Sequence, residues 1–166
     1  MTNVVYQDII EKHEREGTTE DPEYQQATMQ FFKKFVLRVD PWPAEFLHNL
    51  EMHAEDPTVY HTMYVALFSL TYSRSHSHSR RPRLGASEFS ITGPLKTWNI
   101  ISELHKIAVP TLLINGRYDE ATDAVVAPMF AHIPQVRWYT FGESSHLPIW
   151  EEPEAYLKFV ADFLLQ

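Results

Sequence analysis

The sequence contains no cysteine, and glycine is scarce, with only five in 166 residues. Without cysteine the chain can form neither a disulfide nor a thiolate nucleophile. The five glycines are never adjacent and never four positions apart: they are Gly17, Gly85, Gly93, Gly116 and Gly142. The Gly-x-Ser-x-Gly turn that exposes a serine nucleophile, and the glycine-rich loop that accompanies it, are therefore not in these 166 residues. An acyl-enzyme route by that mechanism lacks its attacking atom.

Basic residues are also few, since the chain has 14 basic and 22 acidic residues and a formal net charge of −8. An acidic surface repels phosphates, so neither nucleic acid nor an anionic membrane is an expected partner. The chain lacks an apolar run long enough to span a bilayer, and its first residues do not resemble a targeting signal. A cytoplasmic protein is expected. With no phosphate-binding glycine loop or dinucleotide fingerprint, no cofactor and no metal is expected.

The first part of the chain, residues 3–62, has the apolar spacing of amphipathic helices. Gly17 is predicted to end the first helix, and Asp21-Pro22 to begin the second. Asp40-Pro41 is predicted to end the second helix and open a third, and Asp56-Pro57 to open a short fourth. This part is predicted to be wholly helical.

A segment of different composition follows at residues 69–86, with four arginines and no acidic residue in an otherwise acidic chain. Such Ser- and Arg-rich composition predicts a solvated loop. Its histidines and arginines could be read as metal or phosphate ligands, but a rigid set of further ligands is missing from the pattern.

From Ile107 onward the pattern changes to alternating strands and helices. The run Val109–Ile114 is apolar on both faces, as in a buried parallel strand, and Val136–Phe141 is predicted to be the next strand. A helix is predicted between them at Ala121–Ile133, and a closing helix from about Glu151, whose acidic residues suit the helix dipole. This βαβα pattern predicts the end piece of a larger α/β sheet.

Each of the two predicted strands is followed by a residue of catalytic type, Asp119 after the first and His146 after the second. Active sites of open α/β sheets form at the carboxyl ends of the strands. The order Asp then His matches the last two members of a Ser, Asp, His triad. The residues alone leave open a helix-capping role for Asp119 and a surface position for His146. The neighbouring Ser144 and Ser145 are not expected to be nucleophiles, because a serine on the same loop as its base would lack an oxyanion hole.

Several long strings, in the correct order, resemble the proline iminopeptidase branch of the α/β-hydrolases. They are DPEYQQA, FVLRVDPWP, EDPTVYHTM, SEFSITGPLKTWNI, VPTLLINGRYDEAT and SSHLPIWEEPEAYLKFVADFL. The resemblance covers nearly the whole chain except the Ser/Arg-rich segment, and it corresponds to the helical cap and the carboxyl-terminal part of that family.

The resemblance implies an α/β fold in which an all-helical cap precedes the last two strands of the hydrolase core and their helices. It implies a cap at residues 1–68, an inserted loop at 69–86, the end of the cap and return to the core at 87–106, and core at 107–166. Asp119 would be the acid and His146 the base of a catalytic triad. Glu88 would bind the free amino group of a peptide or amino-acid amide substrate, and no second acidic partner for that amine is evident.

The sequence leaves several alternatives open. The chain could be an inactive part of such a hydrolase, a non-catalytic binding protein, or one half of an enzyme that pairs with a separate chain. Esterase, lactonase or amidase chemistry would use the same core. The exposed edge of an incomplete sheet would favour such pairing or self-association.

The segment at residues 69–86 could also be a foreign insertion, such as translated intron sequence, which sequencing of the transcript would test.

Overall fold

The computed structural model describes residues 3–56, residue 89 and residues 94–166. The chain forms two compact units, one from Met1–Met29 with Pro43–Trp98 and the other from Gln30–Trp42 with Asn99–Gln166. The boundaries predicted between cap, inserted loop and core remain predictions, since the segment 69–86 lies outside the described residues.

The first unit contains helices α1 (Asn3–Glu16), most of α2 (Pro22–Phe31) and α3 (Ala44–Glu55). A single 3-10 turn, Pro94–Thr97, also belongs to it. The predicted end of α1 at Gly17 and the predicted start of α2 at Asp21-Pro22 are confirmed by these bounds. The fourth helix predicted at Asp56-Pro57 lies outside the described residues.

Gly17 ends α1 for a conformational reason, because its φ of 67° lies in the left-handed region that a side chain disfavours. This conformation lets the amide of Thr18 donate to the carbonyl of His13 at 3.0 Å, which satisfies a carbonyl at the helix end. The side chain of Asp21 then accepts a hydrogen bond from the amide of Glu23 at 2.8 Å, at the start of α2. The helix–turn–helix is thus encoded by local residues.

The second unit begins at Gln30, within the last turn of α2. The sequence predicts that the second helix ends at Asp40-Pro41, but α2 stops at Phe31 and a single wide helical turn, Phe32–Val36, follows it. Leu37 is extended and fully buried, and its carbonyl accepts a hydrogen bond from the indole of Trp42 at 2.9 Å. The chain therefore leaves the helical conformation at Leu37, before the predicted end at Asp40-Pro41.

The rest of this unit is the predicted βαβα arrangement. A 3-10 helix (Ile101–Lys106) leads to strand β1 (Thr111–Gly116), helix α4 (Asp123–His132) and strand β2 (Val136–Phe141). Two helices close the chain, the short α5 (Pro148–Glu151) and the longer α6 (Pro153–Leu164). The strands are parallel, in a register that pairs Thr111 with Val136 and Gly116 with Phe141. The predicted parallel pairing and the bounds of the second strand are confirmed.

Helices contact both faces of β2, because successive strand residues point to opposite sides of the sheet. Trp138 packs against Phe130 of α4, with ring centroids 5.7 Å apart. On the other face, Tyr139 packs against Phe159 of α6 at 4.1 Å. These aromatic contacts hold α4 and α6 against β2.

Strand β1 is less buried than its apolar sequence predicted. Its first four residues are half-buried, and Val109, just before it, is 65% exposed. In the part of the chain that the structure describes, β1 pairs with β2 alone. The other edge of β1 and the apolar surface beside it are therefore open. Among the described residues, no helix combines the length and the apolar character needed to cross a membrane.

Candidate active site

Asp119 lies in the turn that follows β1, and this turn fixes its carboxylate. One oxygen accepts the amide of Ala121 at 2.8 Å, and the other accepts the amide of Gly116 at 3.3 Å. The residue is only 6% exposed. A buried carboxylate held by two backbone donors has little freedom to rotate. The helix-cap alternative for Asp119 is therefore partly realised, since the Ala121 bond is of that kind, but the carboxylate has a further partner.

Asn115, the residue before Gly116, ties the same turn to both strands. Its side-chain amide donates to Asp123 at 2.9 Å, and its side-chain oxygen accepts from Trp138 at 2.9 Å and Thr140 at 2.8 Å. Asn115 is 2% exposed, so these bonds satisfy a polar group that would be costly to bury alone. Sequence reasoning missed this residue, whose signal was a single polar position at the end of an apolar strand.

His146 follows β2 and meets Asp119. Its Nδ1 lies 2.9 Å from Oδ1 of the aspartate. Because a carboxylate only accepts hydrogen bonds, Nδ1 must carry the hydrogen, and in the neutral ring Nε2 is then the basic atom. The imidazole is 45% exposed, so Nε2 can reach a substrate or a second side chain. This is the geometry of a histidine base oriented by an acid.

The electrostatics of the site favour the protonated imidazole. The hydrogen bond to Asp119 raises the pKa of His146 above its usual value of 6.5, and partial burial of the ring opposes this only in part. The nearby negative charges of Asp119, Glu120 and Glu151 also raise the pKa. The site therefore stabilises the imidazolium that forms when histidine accepts a proton.

Glu120 is a third titratable group beside this pair, and sequence reasoning did not single it out. Partial desolvation of its carboxyl group raises the pKa of Glu120, while the closeness of His146 works in the opposite direction. The residue as a whole is exposed. Its position next to Asp119 in the sequence was the available signal.

The two loops touch through their backbones. The amide of Tyr118 donates to the carbonyl of Ser144 at 3.0 Å, and the amide of Arg117 donates to that of Phe141 at 2.8 Å. A Cβ placed on Gly116 would lie 2.1 Å from the carbonyl oxygen of Ser145, far inside contact distance. Only glycine permits this approach, which brings the aspartate and histidine loops together.

Two acids at the end of α5 bind the histidine loop. Glu151 accepts hydrogen bonds from the amide and hydroxyl of Ser145, and Glu152 accepts one from the hydroxyl of Ser144. Sequence reasoning assigned both acids only to the dipole of the closing helix. The serines are fully buried and their hydroxyls are bound to carboxylates, so neither has the setting of a nucleophile, as predicted.

Arg38, which precedes these loops by about 80 or more positions in the sequence, also contacts them. Its guanidinium lies 3.7 Å from the ring centroid of Tyr118 and donates to the carbonyl of Glu143 at 3.1 Å. Its backbone amide donates to Glu151 at 2.9 Å. Nothing in the local sequence indicated this role, because the contacts join residues more than 75 positions apart.

The structure thus brings together Asp119 and His146, whereas Glu88 lies outside the described residues. In the described ranges, no group of three or more His, Asp or Glu side chains could hold a metal ion. The pair of Asp119 and His146 can accept a proton on the imidazole and stabilise the positive charge that results.

Comparison with known proteins agrees with the resemblance to proline iminopeptidases that the sequence shows. The chain is 32% identical, over 159 residues, to a proline iminopeptidase from Thermoplasma volcanium, a match that covers 96% of the chain and 47% of the relative. The crystal structure of a Mycobacterium smegmatis proline iminopeptidase superposes with a TM-score of 0.75 and 34% identity, covering 97% of the chain and 47% of that protein.

The crystal structure of VinJ superposes with a TM-score of 0.78 and 35% identity, covering 96% of the chain and 47% of VinJ. No family model matches the chain. The chain spans about half the length of the curated relatives that it matches. The resemblance and the fold predicted from the sequence are both confirmed.

Proposed function

Because the chain is homologous, over nearly its whole length, to the carboxyl-terminal part of α/β-hydrolases named proline iminopeptidases, we propose that it supplies the acid and base of such a hydrolase. The reaction is removal of the N-terminal residue from a peptide or amino-acid amide. The observation that supports this most directly is the 2.9 Å contact between Nδ1 of His146 and the buried carboxylate of Asp119.

In the proposed reaction, Nε2 of His146 takes the proton of a serine hydroxyl as the serine oxygen attacks the carbonyl carbon of the substrate. The imidazolium then gives this proton to the leaving amine as the C–N bond breaks, and a water molecule releases the acyl group by the same steps. Asp119 keeps the hydrogen on Nδ1 and stabilises the positive ring. The serine comes from the part of the hydrolase that these 166 residues do not match.

Glu120 is proposed to pair with the amino group of the substrate. Its carboxyl group is close enough to His146 for their charges to interact, the residue as a whole is exposed, and a cationic amine would favour the ionised form of the carboxyl group. Glu88 stays a prediction for the same role. An amine-binding carboxylate beside the base would favour substrates with a free N-terminus over blocked ones.

The open edge of β1 is the proposed contact for the serine-bearing part. The same unit exposes apolar side chains, including Val109 just before β1 and Val125 and Phe130 on α4. Pairing another strand with β1 would bury such surface and satisfy the free backbone groups of the edge. Self-association through the same edge is the competing outcome, and light scattering of the chain with and without the serine-bearing part distinguishes the two.

The test is reconstitution. The full chain is co-expressed with the part of the Thermoplasma volcanium proline iminopeptidase that precedes the matched region, and hydrolysis of proline p-nitroanilide is measured beside labelling by a fluorophosphonate. We expect activity that His146→Gln abolishes and that His105→Gln, a change at an exposed histidine, leaves intact.

A complex that forms but hydrolyses nothing would contradict the proposal, as would equal activity in both variants. Parallel assays with N-acetylated proline p-nitroanilide and with a p-nitrophenyl ester separate aminopeptidase from amidase and esterase activity. Faster turnover of the blocked substrate or of the ester would overturn the proposed substrate class while leaving the catalytic pair in place.

A further inference from the structure

The loop that carries His146 is bound from one side by two carboxylates. The hydroxyl of Ser145 donates to Oε1 of Glu151 at 2.6 Å, and its amide donates to Oε2 at 2.7 Å. The hydroxyl of Ser144 donates to Oε2 of Glu152 at 2.5 Å. Hydrogen bonds to an ionised acceptor are shorter and stronger than those between neutral groups.

Further donors complete these two acceptor sites. The amide of Glu143 donates to Glu152 at 3.2 Å, and the amide of Arg38 donates to Glu151 at 2.9 Å. Both serines have no exposed surface, so their bonds to the carboxylates are shielded from water. The two acids thus fix three consecutive residues, 143–145, that lead directly to the histidine.

The role in the helix dipole that the sequence suggested for these acids does not account for their contacts. Glu152 occupies the position before the first residue of α6, yet its side chain makes no capping hydrogen bond to that helix. Its carboxylate contacts Glu143 and Ser144 instead. The side chains are therefore directed to the loop and not to the helix that follows them.

We infer that Glu151 and Glu152 are positioning residues that hold the histidine loop against the aspartate loop, so that the imidazole meets Asp119. Gly116 permits the close approach of the two loops, and the carboxylates of the two acids bind the side chains and backbone of residues 143–145. This inference rests on the proposed function, because the position of the ring matters for catalysis only where His146 is the base.

The first test compares Glu151→Gln with Glu154→Gln in the full chain, since Glu154 is an exposed acid in the first turn of α6. The readouts are the titration of the His146 ring nitrogens by NMR and the hydrogen exchange of the Ser145 amide. The groups that act on the ring are Asp119, Glu120 and Glu151. We expect Glu151→Gln to lower the pKa of His146 and to speed exchange at Ser145 at least tenfold, whereas Glu154→Gln changes neither. Equal behaviour of the two variants would overturn the inference.

A second variant separates position from charge. Ser145→Ala removes the hydroxyl bond to Glu151 but keeps both carboxylates, and Ser102→Ala removes an exposed hydroxyl elsewhere in the unit. We expect the pKa of His146 to fall in Ser145→Ala although no charge is lost, because a looser loop weakens the bond to Asp119. This comparison also decides the matter if Glu151→Gln does not fold. An unchanged titration in Ser145→Ala would contradict a positioning role.

In the reconstituted hydrolase, Glu151→Gln is expected to lower kcat at least tenfold with little change in KM. The reason is that Glu151 is proposed to act on the position of the His146 ring and not on the substrate. Failure of the proposed function has a different signature, since the unsubstituted chain would then show no hydrolysis in complex. The titration and exchange results would be unaffected by that failure. A rise in KM without a fall in kcat would count against the inference alone.

Discussion

Asp119 is held by the backbone of its own turn, whereas the loop of His146 is held by the side chains of two acids that follow it and by Arg38. The aspartate accepts bonds from Gly116 and Ala121, which are three and two residues away. The histidine loop depends on Glu151, Glu152 and Arg38. The position of the acid is thus a local property of six residues, and the position of the base is a property of the packed unit.

The largest expected effect comes from removing the acid itself. Asp119→Asn keeps the shape of the residue but replaces a carboxylate with an amide that cannot stabilise the imidazolium. We expect kcat of the reconstituted hydrolase to fall roughly 10³–10⁴-fold, and the pKa of His146 to fall in the chain alone. Steady-state kinetics and NMR titration measure the two. A loss of less than tenfold would mean that the aspartate only shapes its turn.

The contact between the two loops is tested by Gly116→Ala against Gly142→Ala. A Cβ at Gly116 would lie 2.1 Å from a backbone oxygen that has no flexible side chain to move, while one at Gly142 meets nothing within 4 Å. We expect Gly116→Ala to lower the free energy of unfolding by at least about 2 kcal/mol. Gly142→Ala should change it by less than about 1 kcal/mol. Urea unfolding followed by circular dichroism makes the comparison, and equal values would refute the close approach.

The dependence of the histidine loop on the side chain of Glu151 is tested by Ser145→Ala. This change removes a buried hydrogen bond to a carboxylate, which contributes about 1.5–3 kcal/mol to stability. Arg117→Ala, in the aspartate loop, removes an exposed side chain and should cost less than about 0.5 kcal/mol. The same unfolding measurement distinguishes them. If both cost the same, the two loops are not fixed in different ways.

The smallest expected effect is the pH dependence that His146 gives to stability. The folded protein binds the imidazole proton more tightly than the unfolded chain, so this contribution is fully present below pH 6.5. It is lost as the pH rises through the higher pKa of the folded state. We expect the difference in unfolding free energy between the wild type and His146→Gln to shrink over that range. A difference that grows with pH would contradict the raised pKa.

The pair of Asp119 and His146 and the strands that precede them could be predicted because their signals are local. Apolar runs define β1 and β2, and the polar residues after them mark the carboxyl edge of the sheet where sites form. Gly17 likewise indicates the end of α1 through its conformational preference, and Asp21 indicates the start of α2 through its capping preference. These features follow from a few adjacent residues, and the structure confirms the elements that they predicted.

The supporting residues could not be predicted from the residues next to them. Arg38 contacts residues more than 75 positions away. Glu151 and Glu152 lie only six and eight positions from the serines that they bind, but the sequence does not distinguish them from acids that suit a helix dipole. The change to a wide helical turn after Phe31 also escaped prediction, since the apolar spacing continues beyond that residue. Local composition reports periodicity, whereas these contacts depend on how the unit packs.

The four hydrogen-bonding partners of Asn115 have a consequence for how this protein can change over evolutionary time. Its side chain accepts from Trp138 and Thr140 and donates to Asp123 and the carbonyl of Ala121. A substitution at any one of these positions leaves a buried donor or acceptor unsatisfied unless another position changes with it. Positions 115, 123, 138 and 140 should therefore covary among homologues, as a unit separate from the reacting residues.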